Sequence, residues 1–418
     1  MTSKAREMLS TDLKPFDHQI EMSEQGYKIL KEKGLVYLAV EERVGKSLTS
    51  ILICEKTKAG KIFIITKKAA LDGWVNQLEM FSHLIYKDYR MINYESLHKV
   101  ANDVKKADLI ILDEPHYALS SYPRPSITAK KVQQLTYDKP IIFLSATPSS
   151  QSYSQLFHQL NMTKYSPFNK YKNFYEWYRC FGLPKTKYLA GRSIVDYTEV
   201  DKEKLEKECK LSNYFISKSR EEVGFKHLPV DKVEFIKLTK TTINLLESVK
   251  KTGICKVDGR TIVCDTAAKR LSVLHQIEGG TIIDNGEFIF TGQTEKIDWI
   301  LRNYGDIPEV AIFYNFKAEK ALLSKYFKEA KLLQSTSHAE GVDLHKIDFS
   351  IIYSMNYSAA KYTQRRARQC NMKRASPIRV IFPLTKEGMS KAVYHRVAVE
   401  KKNFTASYYE KLRKEIDG

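Results

Sequence analysis

Leu38-Ala39-Val40-Glu41-Glu42-Arg43-Val44-Gly45-Lys46-Ser47-Leu48-Thr49-Ser50 is the stretch on which the reading of the fold turns. A short apolar run, Leu35 to Leu38, precedes it, and Leu48, Ile51 and Leu52 continue it at helical spacing. The predicted order is a strand, a tight turn with Gly45, then a helix opening at Lys46. Unpaired backbone N–H groups and the positive end of the helix dipole converge at such a turn, which makes it an anion site. Phosphate is the expected occupant. In the pattern G-x-x-x-x-G-K-[ST], the lysine reaches the phosphates and the hydroxyl residue binds Mg2+. Val40 stands where the first glycine belongs, so the pattern is half met.

Composition sets the frame around this loop. At 418 residues, the chain has room for two or three domains of roughly 150 residues each. A hydrophobic share of 43% with 28% charged residues fits a water-soluble globular protein. The formal net charge of +19 calls for an anionic partner, and nucleic acid is the commonest one. A membrane is not expected, because no run approaches the roughly 18 apolar residues of a spanning helix and the N-terminus lacks a signal-peptide core. The six cysteines show no C-x-x-C spacing, which argues against structural zinc and for reduced thiols in the cytoplasm.

Two more strands end in polar residues. Asp108 to His116 reads DLIILDEPH: four apolar residues, then Asp113 and Glu114. Ligand sites in parallel sheets lie beyond the carboxyl ends of strands, so Asp113 is a candidate to hold Mg2+ and Glu114 to polarise a water. Pro140 to Pro148, PIIFLSATP, repeats the design and ends in Ser145-Ala146-Thr147, hydroxyls that can couple the site to a moving neighbour. Lys61 to Thr66, KIFIIT, and Tyr89 to Tyr94 read as further strands, with a helix through Leu71, Trp74, Val75 and Leu78 between them. Upstream, Gln19 has the paired donor and acceptor needed to read adenine.

Taken in order, GKS, DEPH and SAT resemble motifs I, II and III of the superfamily two helicases and translocases. The detail looks similar to their Swi/Snf-like branch and to small phage-encoded, branch-migrating relatives: Glu41 to Ser47 resembles E-x-G-x-G-K-T, Trp74 falls in a W-x-x-E-like segment, and Asn93-Tyr94-Glu95 resembles N-Y-E. Arg43 replaces a glycine of that pattern and Ser47 a threonine. Further on, Glu309 to Asn315 resembles motif IV, and Ser335 to Leu344 resembles motif V. Tyr362 to Gln369 resembles motif VI, Q-x-x-x-R-x-x-R, with Asn371 where the last arginine is expected.

The resemblance implies two RecA-like α/β lobes with ATP and Mg2+ between them. Gln19, Arg43, Gly45, Lys46, Ser47 and Asp343 are then the nucleotide contacts, and Ser47 and Asp113 the metal contacts. Lys46, Glu114, Arg368 and Arg365 are the catalytic set, Arg368 being favoured as the arginine finger and a displaced Arg374 the other option. Ser145, Thr147 and Gln364 are the coupling residues. The implied activity is ATP-dependent movement on DNA with strand separation or branch migration at forked, branched or single-stranded DNA. A duplex translocase, an RNA helicase and a non-motor nucleic-acid binder are the alternatives, and a monomer is expected.

Expected boundaries are a first lobe over residues 1–160, an aromatic and basic helical linker over 161–230, and a second lobe over 231–418. Ten aromatics between Tyr153 and Phe181, interleaved with Lys and Arg, suit either single-strand binding or a packed subdomain. Asp258-Gly259 and Asn285-Gly286 each sit between short apolar runs, the signature of two-residue hairpin turns in an insertion spanning about 250–292. The first register sets Val257 opposite Arg260 and Cys255 opposite Ile262.

Overall fold

The computed structural model describes residues 13–149, 151–189, 192–307, 309–335, 344 and 346–417. The chain divides into two compact units, Met1–Gly224 and Phe225–Gly418. Each is built on a parallel sheet flanked by helices, which is the two-lobed RecA-like architecture expected from the sequence.

The sheet of the first unit uses β1 (Leu35–Val40), β2 (Lys61–Thr66), β3 (Asp88–Asn93), β4 (Leu109–Asp113), β5 (Ile141–Leu144) and β8 (Phe215–Lys218) in the order β3-β2-β4-β5-β1-β8. All five pairings are parallel. Every residue of β4 and β5 is buried, which is why these strands are continuous apolar runs and not alternating ones. Helix α1 (Asp17–Lys33) precedes β1 and ends at Gly34 in the left-handed region, a common helix stop. Helices α2 (Lys46–Lys56) and α3 (Leu71–Met80) follow β1 and β2.

The aromatic stretch belongs to this unit's core. Phe157, Phe168, Phe174, Trp177, Tyr178 and Phe181 join Leu35, Tyr37 and Phe143 in one buried cluster. Trp177, on α4 (Phe174–Phe181), has the rings of Phe157, Phe168, Phe174 and Phe181 at 5.4–5.7 Å between centroids. Rings spent on one another cannot stack on bases. These six therefore pack a subdomain, and the single-strand platform weighed for them does not form. After them come the hairpin β6 (Lys185–Leu189) and β7 (Arg192–Asp196), and β8, which completes the sheet beside β1.

The second unit has the order β15-β14-β16-β17-β9, all parallel, from β9 (Pro229–Ile236), β14 (Val310–Tyr314), β15 (Lys331–Gln334), β16 (Phe349–Ile352) and β17 (Ile378–Thr385). Its insertion carries α5 (Lys240–Thr252), α6 (Ala267–Ile277) and two hairpins, β10 (Ile254–Val257) with β11 (Arg260–Val263), and β12 (Thr281–Asp284) with β13 (Glu287–Phe290). Val257 faces Arg260 and Cys255 faces Ile262, the register read from Asp258-Gly259. Both residues of each turn have positive φ, as a type I′ turn requires. Helices α7 (Glu295–Tyr304), α8 (Lys317–Tyr326) and α9 (Ala359–Ala367) cover the sheet. Among the described residues no helix is long and apolar enough to cross a membrane.

Candidate nucleotide site

The loop from Val40 to Ser47 turns through two left-handed residues, Arg43 at φ 70° and Gly45 at φ 100°. Gly45 caps α2, and a Cβ there would lie 1.9 Å from Gln19 Nε2, so the position demands glycine for space as well as for backbone angle. Gln19 is buried, its Oε1 accepting from Phe16 N at 2.9 Å while its amide nitrogen lies against the loop. His18 Nε2 is 2.9 Å from the Val44 carbonyl, a second tie from α1 to the loop. Glu41 Oε2 accepts from the backbone N–H of Arg220 at 3.0 Å, and the Arg220 guanidinium lies 3.0 Å from the same oxygen. Lys46 Nζ donates to the Val40 carbonyl at 2.8 Å, and Ser47 is half-buried at the start of α2.

Strand pairing gathers the polar ends. Leu38 is in register with Leu144 across β1 and β5, and Asp113 with Leu144 across β4 and β5, so β5 lies between the strand that feeds the loop and the strand that ends in the carboxylates. Asp113 is buried and its Oδ2 accepts from Thr66 Oγ1 at 2.7 Å and Trp74 Nε1 at 2.9 Å. Glu114 sits at φ 49°, a left-handed conformation costly for a residue with a Cβ and typical of functional sites. Burial pushes its pKa up to about 7, Lys46 opposing and Asp113 adding to the rise. His116 Nδ1 lies 2.8 Å from Ser145 Oγ and 3.1 Å from Glu114 Oε2, and Ser145 Oγ is 3.4 Å from that carboxylate oxygen. Thr147 N donates to Ser145 Oγ at 3.1 Å. Ser145, Thr147, His116 and Glu114 thus form one hydrogen-bonded group, in which His116 is the member sequence reasoning overlooked although it closes the DEPH motif.

The chemistry of the donors fits a nucleoside triphosphate with Mg2+. A helix N-terminus and one lysine suit phosphate oxygens, and one serine hydroxyl and one buried carboxylate are the oxygen donors that Mg2+ needs beside those phosphates and water. Among the described residues no group of three or more His, Cys, Asp or Glu could hold a metal unaided.

The second unit separates its arginines. Arg365 is buried, its guanidinium carbon 5.2–5.7 Å from the centroids of Tyr362, Phe313 and Phe382, and burial lowers its pKa to about 10. Arg366 pairs with Asp231 and Tyr362. Arg374 is also buried: it donates to the carbonyls of Ile347, Gln369 and Ser376 and pairs with Asp348, which leaves it poorly suited to a displaced finger role. Arg368 and Gln364 are half-buried at the end of α9. Asp343 lies outside the described residues.

The chain is similar to the SWI2/SNF2 ATPase core of Sulfolobus solfataricus solved in complex with dsDNA, at 14% identity and a TM-score of 0.43 over 97% of this chain and 95% of that one. No protein-family model matches the sequence. No curated protein matches it either.

Proposed function

We propose that this protein is an ATP-driven motor on DNA that separates or migrates strands at forked or branched structures. The observation that carries the reading is the convergence of Lys46, Ser47, Asp113, Glu114 and Ser145 at the ends of three adjacent parallel strands, with a carboxylate whose pKa stands at about 7. A general base works best when its pKa lies near the working pH. Lys46 and the N-terminus of α2 bind the phosphates, and Glu114 orients and accepts a proton from the attacking water. Ser47 and Asp113 hold Mg2+, which when bound offsets charge on the phosphate oxygens. Ser145, Thr147 and His116 sense the state of Glu114 through their hydrogen bonds, and Arg368 supplies positive charge to the transferred phosphoryl group.

The net charge of +19 supports a polyanionic track gripped through phosphates, with strong salt dependence. The test is ATP turnover with no nucleic acid, single-stranded DNA, blunt duplex, a fork, a four-way junction and matched RNA, run beside strand-displacement gels. Stimulation with displacement on branched DNA is expected. Stimulation by blunt duplex without displacement identifies a duplex translocase, stimulation by RNA alone an RNA motor, and absence of turnover a non-motor binding module.

A further inference from the structure

Two features singled out by sequence, Trp74 and Tyr94, have no part in the chemistry above, yet both end on Asp113. Trp74 lies on α3 and its Nε1 donates to Asp113 Oδ2 at 2.9 Å. Thr66, the last residue of β2, donates its hydroxyl to the same oxygen at 2.7 Å. Tyr94, at the start of the turn after β3, donates to the Asp113 main-chain carbonyl at 3.0 Å. Donors from three separate elements meet one residue, and all three side chains are at most 3% exposed.

Their distribution is uneven. Both side-chain donors take Oδ2, and among the described residues no hydrogen bond reaches Oδ1. A carboxylate that serves only the core gains most when its donors are spread over both oxygens, because each oxygen has two lone pairs to satisfy. A carboxylate that faces a hydrated cation must keep one oxygen for that cation and have its rotation fixed through the other. Residues that do this for metal ligands typically change metal affinity about 10- to 100-fold when removed.

We propose that Thr66, Trp74 and Tyr94 are positioning residues for the metal-facing carboxylate, holding Asp113 by Oδ2 and its carbonyl so that Oδ1 is presented to the hydration shell of Mg2+. The inference rests on the ATP-site reading. Register makes it specific to this sheet: β2 pairs with β4 with Ile65 beside Leu112, which brings the next residues, Thr66 and Asp113, side by side at the strand ends. Trp74 comes over the strand ends from the helix that follows β2. It is the one buried residue of α3, the rest of that helix being half-buried or exposed.

The test uses the full chain with Thr66→Val, Trp74→Phe and Thr66→Ser. Thr66→Val keeps shape and removes the donor, and Thr66→Ser restores the donor. Two quantities are measured: the Mg2+ concentration for half-maximal turnover at saturating ATP, and Mn2+ binding in the presence of ADP by electron paramagnetic resonance. Thr66→Val and Trp74→Phe are each expected to weaken both by about 10-fold, with Thr66→Ser within about threefold of the parent. If both metal constants in Thr66→Val stay within about twofold of the parent while the parent turns over ATP, the positioning role is wrong and these bonds only satisfy the core. A parent that neither hydrolyses ATP nor binds Mn2+ with ADP removes the ATP-site reading itself, a separate outcome from the first.

Discussion

Lys46 Nζ donates to the Val40 carbonyl at 2.8 Å, so the loop lysine is folded back on the strand that delivers it. A phosphate offers the ammonium an anionic acceptor in place of this neutral carbonyl, adding ion-pair attraction to the hydrogen bond. Lys46→Ala is expected to cut kcat/KM by at least about 100-fold, the scale of losing one donor to developing charge. Nucleic-acid binding at low salt is expected to persist. ATP hydrolysis and filter binding on the same preparation check both, and turnover at the parent rate would falsify the assigned site.

Glu114 supplies a prediction in pH. Its folded pKa of about 7 lies above the ordinary carboxylate value of 4.5, so the folded state binds the extra proton between those values. Its contribution to stability is therefore complete at low pH and is lost as pH rises through that window. Activity runs the other way, because the base must be ionised. The acid limb of kcat/KM is expected near pH 7, and that of kcat lower, since bound Mg2+ favours the carboxylate. Glu114→Gln is expected to abolish turnover at every pH while leaving nucleotide binding intact. A kcat/KM profile flat from pH 5.5 to 8 assigns the base elsewhere.

How far the sequence disclosed this arrangement depended on burial. β2, β4, β5 and β14 are continuous apolar runs because helices cover both faces of each sheet, and the candidate residues Asp113, Glu114 and Ser145 stand at the ends of β4 and β5. The hairpins were equally legible, since Asp-Gly and Asn-Gly are among the few pairs that readily take two consecutive positive φ values. β8 was not: Phe215–Lys218 has a single buried residue, Ile216, and runs into the charged stretch Ser219-Arg220-Glu221-Glu222. β17 also escaped, although seven of its eight residues are buried, because Pro383 interrupts the run and reads as a strand breaker. Tertiary bonds such as Trp74 to Asp113 span 39 residues and leave no local periodicity to detect.

Arg365 and Arg368 separate by environment. Arg365 lies among three aromatic rings, so Arg365→Ala removes packing as well as charge and is expected to cost roughly 2–4 kcal/mol of stability. Arg368→Ala, at a half-buried position, is expected to leave the melting temperature within a few degrees and to lower kcat by about 1,000-fold. Calorimetry beside turnover distinguishes the two. A stable, active Arg368→Ala protein moves the finger assignment off this residue.

Lys296 is the cation of a buried ionic cluster. Its Nζ donates to the Tyr353 carbonyl at 3.2 Å and lies 3.9 Å from Glu278 Oε2, all within a unit where Glu278 and Lys296 side chains are at most 1% exposed. Burial lowers the Lys296 pKa, with Glu278 and then Glu319 opposing. Glu278 also accepts from Thr385, Met389 and Ser390, and Glu319 from the N–H groups of Asn315 and Phe316 and from Ser354. Lys296→Met leaves two buried acids without their cation and is expected to destabilise the protein by about 3–5 kcal/mol at pH 8. Glu319 is already raised by burial to about 7, and loss of the cation raises it further. Protonation then relieves the penalty, so the deficit against the parent is expected to shrink as pH falls from 8 to 6. Denaturant unfolding of parent and variant at both pH values measures it. A deficit equal at the two pH values assigns the loss to packing alone.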